Sequence, residues 1–167
     1  MRANQEDLEN EINMNKWIKL IISLLICLAA GFIGSFFTTP YIPTWYESLN
    51  FPTFRPPNWL FGPVWTMLFI LMGISLYLVT EKGINKVISQ LAVFGIQLIL
   101  NVLWSFLFFA YQSPFYAFIE IIILWFAILF TITRFYRVSK KSSMLLIPYI
   151  AWVSFATILN YYVWILN

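Results

Sequence analysis

Five apolar stretches, each about as long as a bilayer is thick, constrain this chain more than any other feature. They run over about 17–37, 60–80, 86–110, 114–135 and 144–166. A helix rises 1.5 Å per residue, so roughly 20 apolar residues cross the hydrocarbon core. Only 10% of the residues are charged, far below the roughly 25% of soluble domains. Those charges are bunched between the apolar runs. The pattern predicts an all-α integral membrane bundle of five transmembrane helices (17–167), preceded by a polar tail over 1–16. The first stretch reads as a retained span. A signal-peptide core is about 7–15 residues behind a basic start, whereas here Glu6, Asp7, Glu9 and Glu11 come first. Pro63 and Pro148 are expected in the first turns of their spans, where a missing N–H costs little.

Composition also removes whole classes of chemistry. The chain has no histidine and one cysteine, Cys27. A Ser-His-Asp or Cys-His nucleophile cannot be assembled, a metal site lacks its ligands, and no intrachain disulfide can form. No cofactor is required by any motif. The net charge of +3 does not indicate nucleic acid, because the cations sit at span ends, where orientation explains them. Threading five spans puts Arg2, Lys16, Lys19, Lys82, Lys86, Arg134, Arg137, Lys140 and Lys141 on one side and only Arg55 on the other. The positive-inside rule therefore predicts a cytoplasmic N-terminus, an outer C-terminus and an outer loop at 38–59. A bacterial plasma membrane is the expected location.

That loop is unusual. Pro52, Pro56 and Pro57 exclude regular helix, yet Trp45, Tyr46, Phe51, Phe54 and Trp59 call for burial. It reads as a structured lid over something apolar. Eight tryptophans are also too many for interfacial belts alone. Trp17 and Trp164 lie at span ends and suit the belt role. Trp65, Trp104, Trp125 and Trp152 lie deeper, where each indole N–H needs a partner or packs between helices. Trp152, Ala156 and Leu159 share one helical stripe, and the small Ala156 leaves a recess beside the Trp152 ring. Gln97, Asn101 and Ser105 form a polar row on the third span, with Asn160 on the last. Such residues either anchor a ligand or bond between helices. Glu120 is the one acid within a span and a functional candidate on that ground. Aromatic faces, a recess and a few polar anchors suit a flat, apolar, polycyclic ligand.

At these residues the chain resembles the tryptophan-rich sensory protein family, also called the translocator protein or peripheral-type benzodiazepine receptor (TspO/MBR) family. The matching pieces are Trp45-Tyr46-x-x-Leu49 with Pro52, then Pro56-Pro57-x-Trp59-x-Phe61-x-Pro63-x-Trp65. Leu100-Asn101-x-x-Trp104-Ser105 follows, and Pro148-Tyr149-x-x-Trp152-x-x-Phe155-Ala156-x-x-Leu159-Asn160 comes last. They occur in family order across nearly the whole chain from residue 17. The resemblance implies a five-helix bundle, often a homodimer, that binds porphyrins such as protoporphyrin IX and other hydrophobic ligands. It implies a pocket of Trp59, Asn101, Trp104 and Ala156 with Trp45 as lid, and Trp65 and Trp152 as the tryptophans of a light-dependent porphyrin breakdown. Eukaryotic relatives carry a sterol motif near the end of the fifth helix. Here Leu159-Asn160-Tyr161-Tyr162-Val163-Trp164-Ile165 has no cation after the tyrosines, so that site is not implied. Small-residue pairs offer two faces for a second copy, Gly31 with Ser35 and Ala92 with Gly95.

Three functions follow. The first is a tetrapyrrole-binding sensor or regulator. The second is light-dependent porphyrin degradation through Trp65 and Trp152. The third is a transporter of porphyrin, sterol or other apolar molecules. The odd span count disfavours the third in its inverted-repeat form.

Overall fold

A computed structural model describes the backbone of residues 2–167 and the side chains of residues 15–167. Helix α1 runs over Arg2–Thr38, α2 over Asn58–Thr80, α3 over Ile88–Ser105, α4 over Pro114–Tyr136, α5 over Lys140–Leu145 and α6 over Ile147–Leu166. A π-helical turn at Phe106–Ala110 ends α3. Among the described residues, five segments are long and apolar enough to cross a membrane: Asn15–Tyr41, Asn58–Thr80, Ile88–Ala110, Pro114–Tyr136 and Lys140–Leu166. The expected all-α five-span bundle is what forms. The polar tail expected over 1–16 is continuous in backbone with α1 from Arg2, and its side chains up to residue 14 lie outside the described residues.

α1 packs against α2 and α3, and α4 packs against α3, α5 and α6. α2 meets the last span mainly through short α5. The spans therefore close into a ring in the order first, second, fifth, fourth, third. One core fills the middle, built on Cys27, Leu68, Met72, Leu98, Ile121, Leu124, Ile128 and Val153. The outer surface stays apolar, with Phe32, Phe36, Ile99 and Phe126 all exposed. A surface of that kind is stable against lipid, not water. Close approach of α1 and α2 depends on glycine. A Cβ on Gly73 would come 2.9 Å from the Leu24 backbone, and one on Gly31 would come 2.6 Å from the Phe69 ring.

Three local features depart from the sequence reading. α2 starts at Asn58, two residues early, so Pro63 lies inside the helix and not in its first turn. Its missing N–H withdraws the donor that would answer the Trp59 carbonyl. The last span is not one helix from 144: α5 and α6 break at Leu146, just before Pro148. The break lets α5 lean on α2. There the Ser75 hydroxyl donates to the Ser142 carbonyl (2.9 Å) and the Ser142 hydroxyl to the Ser75 carbonyl (2.7 Å), both buried. Finally, Gly31 is filled from within its own chain by Phe69, so its small side serves α1–α2 packing.

The loop folds over the bundle end on a second core of Tyr46, Phe108, Phe109, Ala117 and Val163. Short 3₁₀ turns at Thr39–Tyr41 and Tyr46–Ser48 shape it. The Arg55 guanidinium lies 4.0 Å from the Phe51 ring centre and 5.2 Å from that of Tyr46. It also donates to the Asn58 side chain at 2.8 Å. The chain terminus holds the loop from the other side. Asn50 N–H donates to Asn167 Oδ1 (2.9 Å), and Asn167 Nδ2 donates back to the Asn50 carbonyl (3.0 Å). Of the loop aromatics expected to be buried, Tyr46 is, Trp45 and Phe51 are half-buried, and Phe54 and Trp59 are exposed.

Candidate functional site: an aromatic cavity beneath the loop

The space under the loop is a cavity of about 540 Å³, within the ~300–1,000 Å³ range of ligand pockets. Four of the five spans wall it. α1 supplies Gly31, Gly34, Ser35 and Thr38. α2 supplies Trp59, Phe61, Trp65 and Phe69, α3 supplies Asn101, Trp104 and Ser105, and α6 supplies Trp152, Ala156, Leu159 and Asn160. Tyr46 and Phe51 of the loop close the top, with Phe108 and Phe109 of the π turn. The α6 residues follow an i, i+4, i+7 stripe, so one helix face supplies Trp152, Ala156 and Leu159 together. α4 contributes nothing to the lining.

The polar groups of the wall divide sharply. Trp104 Nε1 donates to Asn160 Oδ1 at 3.0 Å, and Asn160 Nδ2 donates to the Pro114 carbonyl at 2.8 Å. This relay ties α3, α6 and the start of α4. Asn101 Nδ2 donates to the buried Tyr149 hydroxyl at 2.9 Å. Trp104 stacks on Phe108 with centres 5.2 Å apart. Trp152 differs: its indole N–H is buried and has no partner among the described residues, although Phe61 and Phe155 lie edge-on or tilted to its ring. A cavity-lining residue thus keeps a free donor. At the top, burial pushes the Tyr46 hydroxyl above the usual phenol value, partly opposed by Arg55. Tyr46 therefore stays neutral, a donor or acceptor for the loop and the cavity roof.

The cavity is not sealed. Phe32 on α1 and Trp59 on α2 both line it while 74% and 72% exposed. It therefore opens at the surface beside these two residues.

Of the residues singled out from sequence, Trp59, Trp65, Asn101, Trp104, Trp152 and Ala156 come together on this one cavity. Trp45 does not line it. Its ring packs edge-on against Phe108 at 5.5 Å, and the neighbouring Tyr46 takes the roof position. Trp125 is structural, donating to the Ser154 hydroxyl at 2.8 Å between α4 and α6. Gln97 lies buried outside the lining with its amide unpaired. Gly31 and Ser35, read as a face for a second copy, wall the cavity, and Ser35 is also exposed. The sequence reading missed the whole α1 wall. Its small residues at Gly31, Gly34 and Ser35 were the available signal. They mark close packing without saying against what.

An aromatic cavity under an ordered loop in a five-span helical bundle defines a class of polytopic membrane protein. The chain belongs to the TspO/MBR family, whose model matches residues 23–165. It is similar to "Tryptophan-rich protein TspO" of Archaeoglobus fulgidus, 47% identical over 90% of this chain and 97% of that protein. The protein of the same name in Chlorobaculum tepidum is 46% identical over 92% of this chain and 99% of its own length. The human "Translocator protein" is 38% identical over 89% of each chain. Relatives of this kind and the five spans make this a multi-pass membrane protein in contact with the bilayer.

Proposed function

We propose that the cavity binds flat hydrophobic ligands, porphyrins such as protoporphyrin IX among them, and that the protein acts as a tetrapyrrole sensor or regulator. One observation carries the reading: Trp59, Trp65, Trp104 and Trp152 converge on a single cavity of about 540 Å³. Four indole rings offer stacking faces to a polycycle, and Ala156 leaves room beside them. Among the described residues the lining holds no charged side chain, so binding rests on shape and stacking. Ligand reaches the cavity from the bilayer through the α1–α2 opening.

A second reading is light-driven porphyrin breakdown. It is favoured by Trp65 and Trp152 both lining the cavity, where a redox-active indole would lie against an excited ring. Titrating purified protein with protoporphyrin in the dark, then illuminating, tests both readings. Saturable quenching of tryptophan fluorescence supports binding, and non-saturable quenching contradicts it. Light-driven loss of the porphyrin spectrum that survives Trp65→Phe and Trp152→Phe removes those residues from the second reading.

We further infer a homodimer through the α3 face at Ala92 and Gly95. Ala92 is exposed, and a Cβ on Gly95 would meet nothing within 4 Å, so the face is free for close helix approach. Oxidative cross-linking of Gly95→Cys in membranes is expected to give dimers. Cross-linking no stronger than for Phe126→Cys on exposed α4 would contradict this interface.

A further inference from the structure

The end of the bundle away from the loop holds a concentration of positive charge. Two turns lie there. One, over 81–87, joins α2 to α3, and the other, over 137–141, leads from α4 into α5. Lys82, Lys86, Arg137, Lys140 and Lys141 are all exposed on them, against a single acid, Glu81. Glu81 accepts a hydrogen bond from the Tyr77 hydroxyl at 2.7 Å. The opposite end is balanced, with Arg55 and Glu47 over 38–59 and no charge over 111–113. The positive-inside rule accounts for the side on which cations lie. It does not account for their standing on two turns fixed to each other.

The fold sets both turns on one core. Val87 of the first is buried in the same cluster as Phe135 and Leu146, which flank the second, and Val138 packs against that cluster. Phe94 of α3 stacks on Phe135 with ring centres 5.6 Å apart. The Ser75–Ser142 bonds tie α5 to α2. Gly83 takes a φ of 97°, which favours glycine, and Lys86 lays its stem across that turn, with Cδ 3.9 Å from where a Cβ would stand. The cations are bordered by apolar side chains. Ile84 and Ile88 flank the first turn, Tyr136 and Met144 the second, and each is more than half exposed. Lys140 Nζ lies 5.6 Å from the Tyr136 ring centre.

We propose that this face binds an anionic phospholipid. Its phosphate is held by the lysines of both turns and Arg137, and its acyl chains lie against Ile88 and Met144. The complement of such a surface must carry negative charge and hydrocarbon side by side. A free anion would leave the apolar border bare, whereas an acidic lipid answers both parts. Basic clusters at span ends recognise acidic lipids in this way, each cation strengthening binding about fivefold. The site is independent of the central cavity and of the porphyrin reading.

The test is native mass spectrometry of full-length protein in detergent, titrated with dioleoylphosphatidylglycerol or dioleoylphosphatidylcholine, which share their acyl chains. The expected result is saturable binding of a first phosphatidylglycerol, about tenfold or more tighter than phosphatidylcholine. Lys82→Gln with Lys86→Gln, and separately Lys140→Gln with Lys141→Gln, should each weaken it by about tenfold or more. Arg55→Gln at the other end should leave it unchanged. The substituted lysines are exposed, so both double variants should keep the wild-type melting temperature. Glycerophosphoglycerol, the same head group without chains, should not compete. Equal binding of the two lipids, a preference that survives either double variant, an equal loss with Arg55→Gln, or competition by the bare head group overturns the proposal. Phosphatidylglycerol binding that appears only after Glu6, Asp7, Glu9 and Glu11 are changed to Gln makes the chain's own tail the occupant and overturns it equally.

Discussion

Trp104 and Trp152 line the same cavity yet carry different loads. Trp104 donates to Asn160 and holds three segments together, while the Trp152 N–H has no partner. Replacing a bonded donor strands its buried acceptor, at about 1–3 kcal/mol. Trp104→Phe is therefore expected to lower the thermal unfolding midpoint. Trp152→Phe is expected to leave it nearly unchanged and to alter only ligand binding. Equal destabilisation by the two would contradict this division of roles. Gly31 gives a second contrast. A side chain there strikes the Phe69 ring, and overpacking of this kind costs about 1–3 kcal/mol. Gly31→Val should destabilise the bundle, while Gly62→Ala, where a Cβ meets nothing within 4 Å, should be neutral or stabilise by up to about 1 kcal/mol. Thermal melts in detergent check both.

At the scale of elements, two clamps position the site. The Ser75–Ser142 pair pins α5 to α2. Ser142→Ala removes one hydroxyl from it and is expected to cost about 1 kcal/mol. Ser142→Val also wedges a fully buried contact and is expected to cost about 1–3 kcal/mol. The Asn50–Asn167 pair holds the loop. Asn167→Ala should raise hydrogen exchange across residues 46–51 severalfold while barely moving the melting temperature, because the clamp is exposed and local. The spans themselves were legible in the sequence, because length and charge spacing decide what can cross a bilayer. The break at Leu146 was not: an apolar run continues through it, and the Ser75–Ser142 contact chooses the boundary. The start of α2 at Asn58 carried a signal the reading passed over, since Pro56-Pro57 end the extended segment just before it. The loop shows the same limit. Its aromatics called for burial, but Phe54 and Trp59 stay exposed, and which ring faces the cavity depends on the turn at Tyr46–Ser48. That turn rolls Tyr46 inward and leaves Trp45 against Phe108.

For the whole molecule, the ring order matters most. Because α2 meets the last span through α5, the bundle is closed at one end and hollow beneath the loop at the other. The hollow is apolar and aromatic, and it opens at the surface beside Phe32 of α1 and Trp59 of α2. The α2, α3 and α6 walls could be anticipated because each contributes a tryptophan. The α1 wall could not, since glycine and serine carry no such mark. The most direct test of the central claim is a dark titration of wild-type protein and Ala156→Phe with protoporphyrin IX, read by tryptophan fluorescence. Filling the recess beside Trp152 should weaken saturable binding by about tenfold or more, with the fold intact by circular dichroism. Equal quenching of both proteins would place the porphyrin elsewhere and contradict the assignment of the cavity.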